Sequence, residues 1–133
     1  VRLRYGYVVK CVGMKDGVVH CTHYPDSRSG SPGAEKYKVK GNIHWVSARH
    51  AHAVKVHLYD RLFRAPEPGK DREFLEDINP DSRRTVEAQV EPSLGNLVSR
   101  QPYQFERHGY FIADYDRRSF NRTVTLRDSW SKS

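Results

Sequence analysis

Val54-Lys55-Val56-His57-Leu58-Tyr59 alternates apolar and polar side chains with a period of two. An extended chain points successive side chains to opposite faces, so this run reads as a strand with one face in a core and the other in water. The same period recurs in both directions. Toward the N-terminus, Val1, Leu3, Tyr5, Tyr7 and Val9 interleave with Arg2, Arg4, Gly6, Val8 and Lys10, and residues 18–24 return from Asp16-Gly17. That dipeptide suits a two-residue hairpin loop, which needs positive φ at both positions. Residues 37–40 and 43–46 read as strand pieces broken at Gly41. Toward the C-terminus, residues 85–90 and 120–126 read as strands, and residues 102–107 and 110–114 flank His108-Gly109 as a second hairpin loop.

The segments between are short and irregular. Residues 25–36 are rich in Ser, Gly and Pro and read as a mobile polar loop. Residues 64–71 carry Pro66, Pro68 and Gly69. Phe74, Leu75 and Ile78 have the spacing of one helical turn, stopped by Asn79-Pro80, and residues 92–97 offer another such turn. There is no internal repeat and no long helix. Many short strands with frequent turns predict an all-β chain of one or two barrels with short helical turns only.

Size and charge agree with this. The chain has 133 residues, 37% of them hydrophobic, which favours thin β cores over one thick layered core. Lysine and arginine number 23 against 16 acidic residues, a formal net charge of +7 that suits a polyanionic partner, nucleic acid foremost. A mere solubility surplus is the alternative reading of the same charge. No apolar run approaches the roughly 20 residues that span a bilayer. No signal-like start is visible, so the cytoplasm is expected.

The two cysteines, Cys11 and Cys21, fall on the two strands of the Asp16-Gly17 hairpin. A plain two-residue loop sets Cys11 opposite Thr22 and Cys21 opposite Val12, with the thiols on opposite faces; a one-residue slip reverses this. Free thiols are expected. His20, Cys21 and His23, and also His50 and His52, lie close in sequence but lack the paired spacing of zinc ligands, so no metal site is expected. No nucleophile-elbow pattern supports a catalytic triad.

Tyr103-Gln104-Phe105-Glu106-Arg107-His108-Gly109-Tyr110 and Phe120-Asn121-Arg122-Thr123-Val124 stand beside His44-Trp45-Val46-Ser47 and Leu58-Tyr59-Asp60-Arg61-Leu62-Phe63. Together these blocks resemble the C-terminal region of glutaminyl-tRNA synthetases. The resemblance runs from Val1-Arg2-Leu3-Arg4 to Leu126-Arg127-Asp128-Ser129-Trp130 and is weakest at residues 25–36, 81–89 and 114–119. It implies two ribosomal-barrel-like antiparallel β-barrels, residues 1–63 belonging to a distal anticodon-binding barrel and residues 64–133 forming a proximal one. It also implies a non-catalytic module that binds the anticodon loop of glutamine tRNA and needs no cofactor. The parent enzyme, with its catalytic domain, would ligate glutamine to tRNA using ATP with magnesium. In the family, strands precede the segment like Val1-Arg2-Leu3-Arg4, so the first strand is expected to show an unpaired edge and to favour self-association.

The site residues follow from the same resemblance. Arg2 and Arg4, two apart on one strand face, would approach the first anticodon base. Gln104 would meet the middle base, a uracil, whose carbonyl acceptor and N–H donor one carboxamide can match while cytosine opposes it at both atoms. Arg107 would add a cationic contact. Tyr103 and Phe105, on the other face of the strand, are read as core residues. Asn121 and Arg122 begin the last strand; Arg122 is read as buried and ion-paired to Asp128 or Asp60. The Asp60-Arg61 pair is read as a structural corner. A free-standing ribosomal-type barrel that binds 5S-like RNA duplexes by shape, and a protein-interaction barrel with no RNA role, are the competing readings.

Overall fold

A computed structural model describes residues 1–116 and 118–126. The chain forms two compact units, Val1–Val46 and Ser47–Ser133. The described residues are all-β: nine strands and four 3-10 turns, at Pro25–Ser27, Ala34–Lys36, Phe74–Asp77 and Pro92–Leu94. The strand at His52–Tyr59, which a division at 63/64 assigns to the first half, pairs within the second unit's sheet.

In the first unit the N-terminal alternation does not make one continuous strand. β1 (Arg2–Leu3) is followed by a turn in which Tyr5 takes φ 58°, and Gly6 N–H donates to Leu3 O at 2.8 Å. The chain folds back, so Val9 N–H donates to Val1 O and Leu3 N–H to Tyr7 O, both at 2.8 Å. On its other side β1 pairs in parallel with β4 (Asn42–Ile43). The first strand is therefore paired along both edges, against the expectation of a bare one. Tyr5, inward-facing in a straight strand, is instead 76% exposed because the left-handed turn swings it out.

β2 (Val9–Lys15) and β3 (Val18–His23) form the expected hairpin, with Asp16 at φ 51° and Gly17 at φ 76° closing a two-residue loop. The ladder runs Lys15–Val18, Met14–Val19 and Gly13–His20, then passes over Val12 to continue Cys11–Cys21, Lys10–Thr22 and Val9–His23. This one-residue bulge shifts the register beyond it. Cys11 faces Cys21 directly, and the expected opposite-face placement of the thiols is overturned. The 25–36 segment is anchored as well. Ser27 is fully buried; its Oγ donates to Tyr24 O at 2.6 Å and accepts Val8 N–H at 2.8 Å.

The second unit is one five-stranded sheet. Its strands are β5 (His52–Tyr59), β6 (Arg83–Val90), β7 (Pro102–Phe105), β8 (Gly109–Ala113) and β9 (Ser119–Val124), in the order β6-β5-β9-β8-β7. All neighbours are antiparallel except β5 and β9. The expected antiparallel rule thus fails at β5–β9 and β1–β4, where strands distant in sequence enter from the same end. The sheets are open among the described residues, with β6 and β7 as edges. One face carries the core, in which Val54, Val56, Val90, Leu97, Phe111, Ala113 and Phe120 are buried, with Tyr103 and Phe105 packed on them. Phe105 stacks on Phe111 at 4.6 Å between ring centroids and meets Phe120 edge-on at 4.9 Å; Tyr103 meets Phe120 at 5.6 Å. The core reading of Tyr103 and Phe105 holds.

The irregular 64–71 stretch is organised around a buried carboxylate. Asp77 is 4% exposed; its side chain accepts Gly69 N–H at 2.9 Å and Arg72 Nε at 3.1 Å, and its carbonyl accepts Arg64 N–H at 2.9 Å. The Asp60-Arg61 corner is structural, with Asp60 Oδ1 accepting Arg61 N–H at 2.7 Å and Asn79 Nδ2 donating to Arg61 O at 3.0 Å.

The loop joining β7 to β8 is Glu106-Arg107-His108 rather than His108-Gly109. Phe105 pairs with Gly109, His108 N–H donates to Phe105 O at 2.8 Å, and Arg107 takes φ 69°. Gly109 sits at φ 136°, and a Cβ there would lie 2.5 Å from Val124 O. Gly109→Ala should therefore cost at least ~2 kcal/mol through strain and clash. Gly13→Ala, in open space on β2, should change stability by no more than ~0.5 kcal/mol. Thermal melts of the two variants beside the parent check the contrast.

Candidate nucleic-acid interface

Arg2 is half-buried and its guanidinium serves a loop. Nη1 donates to Ser27 O at 2.6 Å and Ser29 Oγ at 3.3 Å; Nη2 donates to Ala34 O and Tyr37 O, each at 3.4 Å. Carbonyls at a chain reversal lack ladder partners, and a planar fork of five donors can gather several at once. Ser29 closes the bracket, its N–H and Oγ both donating to Gly6 O at 3.0 and 3.1 Å. The resemblance implies for Arg2 the same task as for Arg4; in the structure its guanidinium holds the 25–37 loop.

Arg4 stands differently. Its backbone is fixed by Arg4 N–H to Ile43 O at 2.9 Å and by Trp45 Nε1 donating to Arg4 O at 3.0 Å. Its guanidinium lies 4.9 Å from the centroid of the exposed Tyr5 ring, with Nη2 donating to Tyr5 Oη at 3.2 Å. A cation over an aromatic face beside solvent is a pair that can take a stacked base and a phosphate together. The alternation places Tyr5 with the inward-facing residues because nothing in a tyrosine announces a positive φ. The adjoining loop carries an exposed charge cluster in which Asp26 receives Lys36 Nζ at 2.6 Å and Tyr37 Oη. Those two hydrogen bonds, Lys36's first, hold the Asp26 carboxyl below its ordinary 3.8; the bond to Asp26 also holds the Tyr37 phenol above its usual value.

In the second unit Gln104 is exposed on β7, directly opposite Tyr110 on β8. Its neighbours Tyr103 and Phe105 are locked in the aromatic core, so the backbone presenting Gln104 is held still. Among the described residues none hydrogen-bonds its carboxamide. Arg107, three residues on, is exposed at the tip of the same hairpin. The face away from the core continues through Tyr110, 44% exposed, and Ile112 to Asn121, which the register sets beside Ile112 and His57. Asn121 Oδ1 accepts Tyr59 Oη at 2.7 Å. His57 Nδ1 lies 2.9 Å from Thr85 Oγ1 and 3.3 Å from Arg83 Nη2. This face is polar, aromatic and cationic, the mixture that suits splayed bases and a backbone of phosphates.

Arg122 is half-buried opposite Phe111. Of its two expected partners, Asp60 is engaged with Arg61 N–H, and Asp128 lies outside the described residues. The β8–β9 turn is held by Asp116, whose Oδ1 accepts the N–H groups of Arg118 and Ser119 at 2.8 and 3.0 Å. Those backbone donors, Arg118's foremost, hold the Asp116 carboxyl below its usual range. His50 pairs with Ser47 at 3.0 Å, and His23 packs edge-on against Tyr7 at 5.5 Å. Among the described residues no group of three His, Cys, Asp or Glu could hold a metal ion, and no helix is long and apolar enough to cross a membrane.

Comparison with known proteins adds a family. Residues 42–114 match the family described as tRNA synthetases class I (E and Q), anti-codon binding domain. The chain is 51% identical to the glutamine–tRNA ligase of Ralstonia nicotianae, 50% to that of Cupriavidus metallidurans and 46% to that of Nitrosomonas europaea. Each match covers 99% of this chain and 25%, 25% and 26% of the respective relative. The chain thus spans about a quarter of the length of these relatives.

Two outcomes follow from the first unit's geometry. Arg2→Ala should speed hydrogen exchange at the Ser29, Ala34 and Tyr37 amides by about ten-fold or more, the loss of a charged hydrogen bond being ~1.5–3 kcal/mol, while β5 to β9 keep their protection. Arg2→Lys should restore only part, since one ammonium cannot span these acceptors. The Asp26 contact should be fully formed above the carboxyl's ordinary 3.8 and lost as pH falls through its lower folded value. The Tyr37 ring resonances in an acid titration read this directly.

Proposed function

Since the chain belongs to the anticodon-binding domain family of the class I tRNA synthetases for glutamate and glutamine, we propose that it is the anticodon-reading part of a glutamine–tRNA ligase and carries none of that enzyme's chemistry. Its partner is then the anticodon loop of glutamine tRNA. The observation that carries this reading is Gln104, an exposed and uncommitted carboxamide on a strand immobilised by the aromatic core, within the segment matched to the family. A carboxamide held in this way can accept the N–H and donate to the carbonyl of a splayed uracil. Arg107 at the hairpin tip supplies a phosphate or base contact beside it. Arg4, with Tyr5, serves the first base, and Arg2 acts through the loop it holds. The net charge of +7 provides the salt-dependent background.

The parent enzyme would activate glutamine with ATP and magnesium on a catalytic domain in the same chain, in the cytoplasm. The two compact units would be the halves of the family's barrel pair, Val1–Val46 contributing to the distal barrel and Ser47–Ser133 forming the proximal one. Self-association of this chain has a better cause than a bare first strand. The β2–β3 hairpin is a two-stranded sheet exposing Val12, Met14, Val18 and Val19 at 61%, 74%, 58% and 54%. Such a ribbon is marginal alone and invites a partner.

The test is binding to the anticodon stem-loop of glutamine tRNA and to one whose middle uracil is cytosine, by fluorescence anisotropy at two salt concentrations. The parent chain should prefer uracil by about ten-fold, a preference that survives higher salt. Gln104→Ala should remove most of that preference while overall affinity falls less. Arg107→Ala should weaken both loops alike and reduce the salt slope by about 0.7. Equal losses against both loops in Gln104→Ala would sink the assignment.

A further inference from the structure

The bulge at Val12 brings together two thiols that a regular ladder keeps apart, and we propose that Cys11 and Cys21 form a reversible cross-strand disulfide, a thiol–disulfide exchange site for glutathione-type oxidants. The register sets Cys11 directly opposite Cys21. Tyr24 N–H donates to Val8 O at 3.1 Å, which makes Val8 and Tyr24 a hydrogen-bonded pair. Alternation along the antiparallel ladder then makes Val9–His23 a non-hydrogen-bonded pair, Lys10–Thr22 a bonded one and Cys11–Cys21 a non-hydrogen-bonded one. Side chains lie closest at such pairs, with Cα atoms about 4.5 Å apart, inside the range that a disulfide spans.

The surroundings agree. Directly opposed residues of an antiparallel pair project from the same face, so the two side chains lie on one face of the hairpin. Cys11, Cys21, Val9 and Val19 all line one apolar hollow. Both cysteines are free and exposed, so a disulfide in solution can reach them. The exchange balances without a further reagent. One cysteine thiolate attacks glutathione disulfide, forming a mixed disulfide and releasing a glutathione thiolate. The second cysteine thiolate attacks the protein-bound sulfur and expels the other glutathione. The two cysteines lose two electrons, the glutathione disulfide gains them, and the two thiol protons pass to the released thiolates. The product closes a ring over the Asp16-Gly17 turn and pins the bulge. Being exposed, the bond is open to reduction by the same exchange.

The test equilibrates the chain in glutathione buffers of rising oxidised fraction, caps remaining thiols with N-ethylmaleimide and reads intact mass and oligomeric state. The parent chain should pass in one step from two capped thiols to none, as a single covalent chain two hydrogens lighter and free of glutathione. C11S and C21S should each retain one glutathione under the same conditions. The double variant C21T/T22C moves one thiol to the other face and should retain glutathione on both cysteines. The proposal is overturned if the parent chain keeps glutathione adducts, stays reduced where the single variants are modified, or oxidises only to inter-chain dimers. It is equally overturned if C21T/T22C closes as readily as the parent chain, because that is the behaviour of an unbulged ladder.

Discussion

A chain in which 37% of residues are hydrophobic holds several of its loops by a polar group drawn inward. Ser27, Asp77 and Ser119 are the buried polar residues that do this, at 0%, 4% and 2% exposure. Ser27 joins the loop after β3 to Val8; Asp77 gathers the proline-rich stretch through Gly69 and Arg72; Ser119 donates Oγ to Asp116 Oδ2 at 2.9 Å and fixes the β8–β9 turn. A buried polar atom is tolerable only when it is bonded, and each of these is. The strands supply the frame, while these contacts decide where the frame's connections lie. Arg2 extends the scheme, a cation spent on the acceptors of a single loop.

Where the sequence was legible, the reason is local. The strand at His52–Tyr59 was readable because Val54, Val56 and Leu58 face a core and Lys55 does not. Tyr103 and Phe105 were readable as core residues by the same alternation, which left Gln104 exposed. The 3-10 turn at Phe74–Asp77 follows from one-turn apolar spacing cut off by Asn79-Pro80. Each of these signals lies within a few residues and needs no knowledge of what packs across from it.

The failures are those of long-range or backbone-borne facts. A tyrosine at φ 58° leaves no mark in the alternation around Tyr5, so the first strand was drawn too long. Val12 looks like any strand valine, yet the extra residue it inserts decides whether two cysteines meet. Pro66, Pro68 and Gly69 show that the stretch is irregular, but not that Gly69 N–H is bound to the buried Asp77 carboxylate. The spacing of Arg2 and Arg4 shows which way the side chains can point, and not that the fold brings the carbonyls of Ser27, Ala34 and Tyr37 to Arg2. The open sheets also leave the two-barrel expectation at the level of an all-β chain.

The same distinction bears on the residues proposed above to read the anticodon. A side chain can discriminate between bases only if its own position is settled before the ligand arrives, since ordering it on binding costs part of the selectivity. Gln104 meets that condition at second hand. Phe120, fully buried on β9, packs on Tyr103 and Phe105 on either side of Gln104, and Phe105 stacks on Phe111 across the hairpin. The aromatic core thus fixes the strand while leaving its outer carboxamide uncommitted. Arg107 is settled differently, by a left-handed backbone within a loop whose closing glycine cannot accept a side chain. Rigid backbone with an idle polar head is the arrangement a reading residue requires, and Arg2, whose head is engaged, shows by contrast what a holding residue looks like.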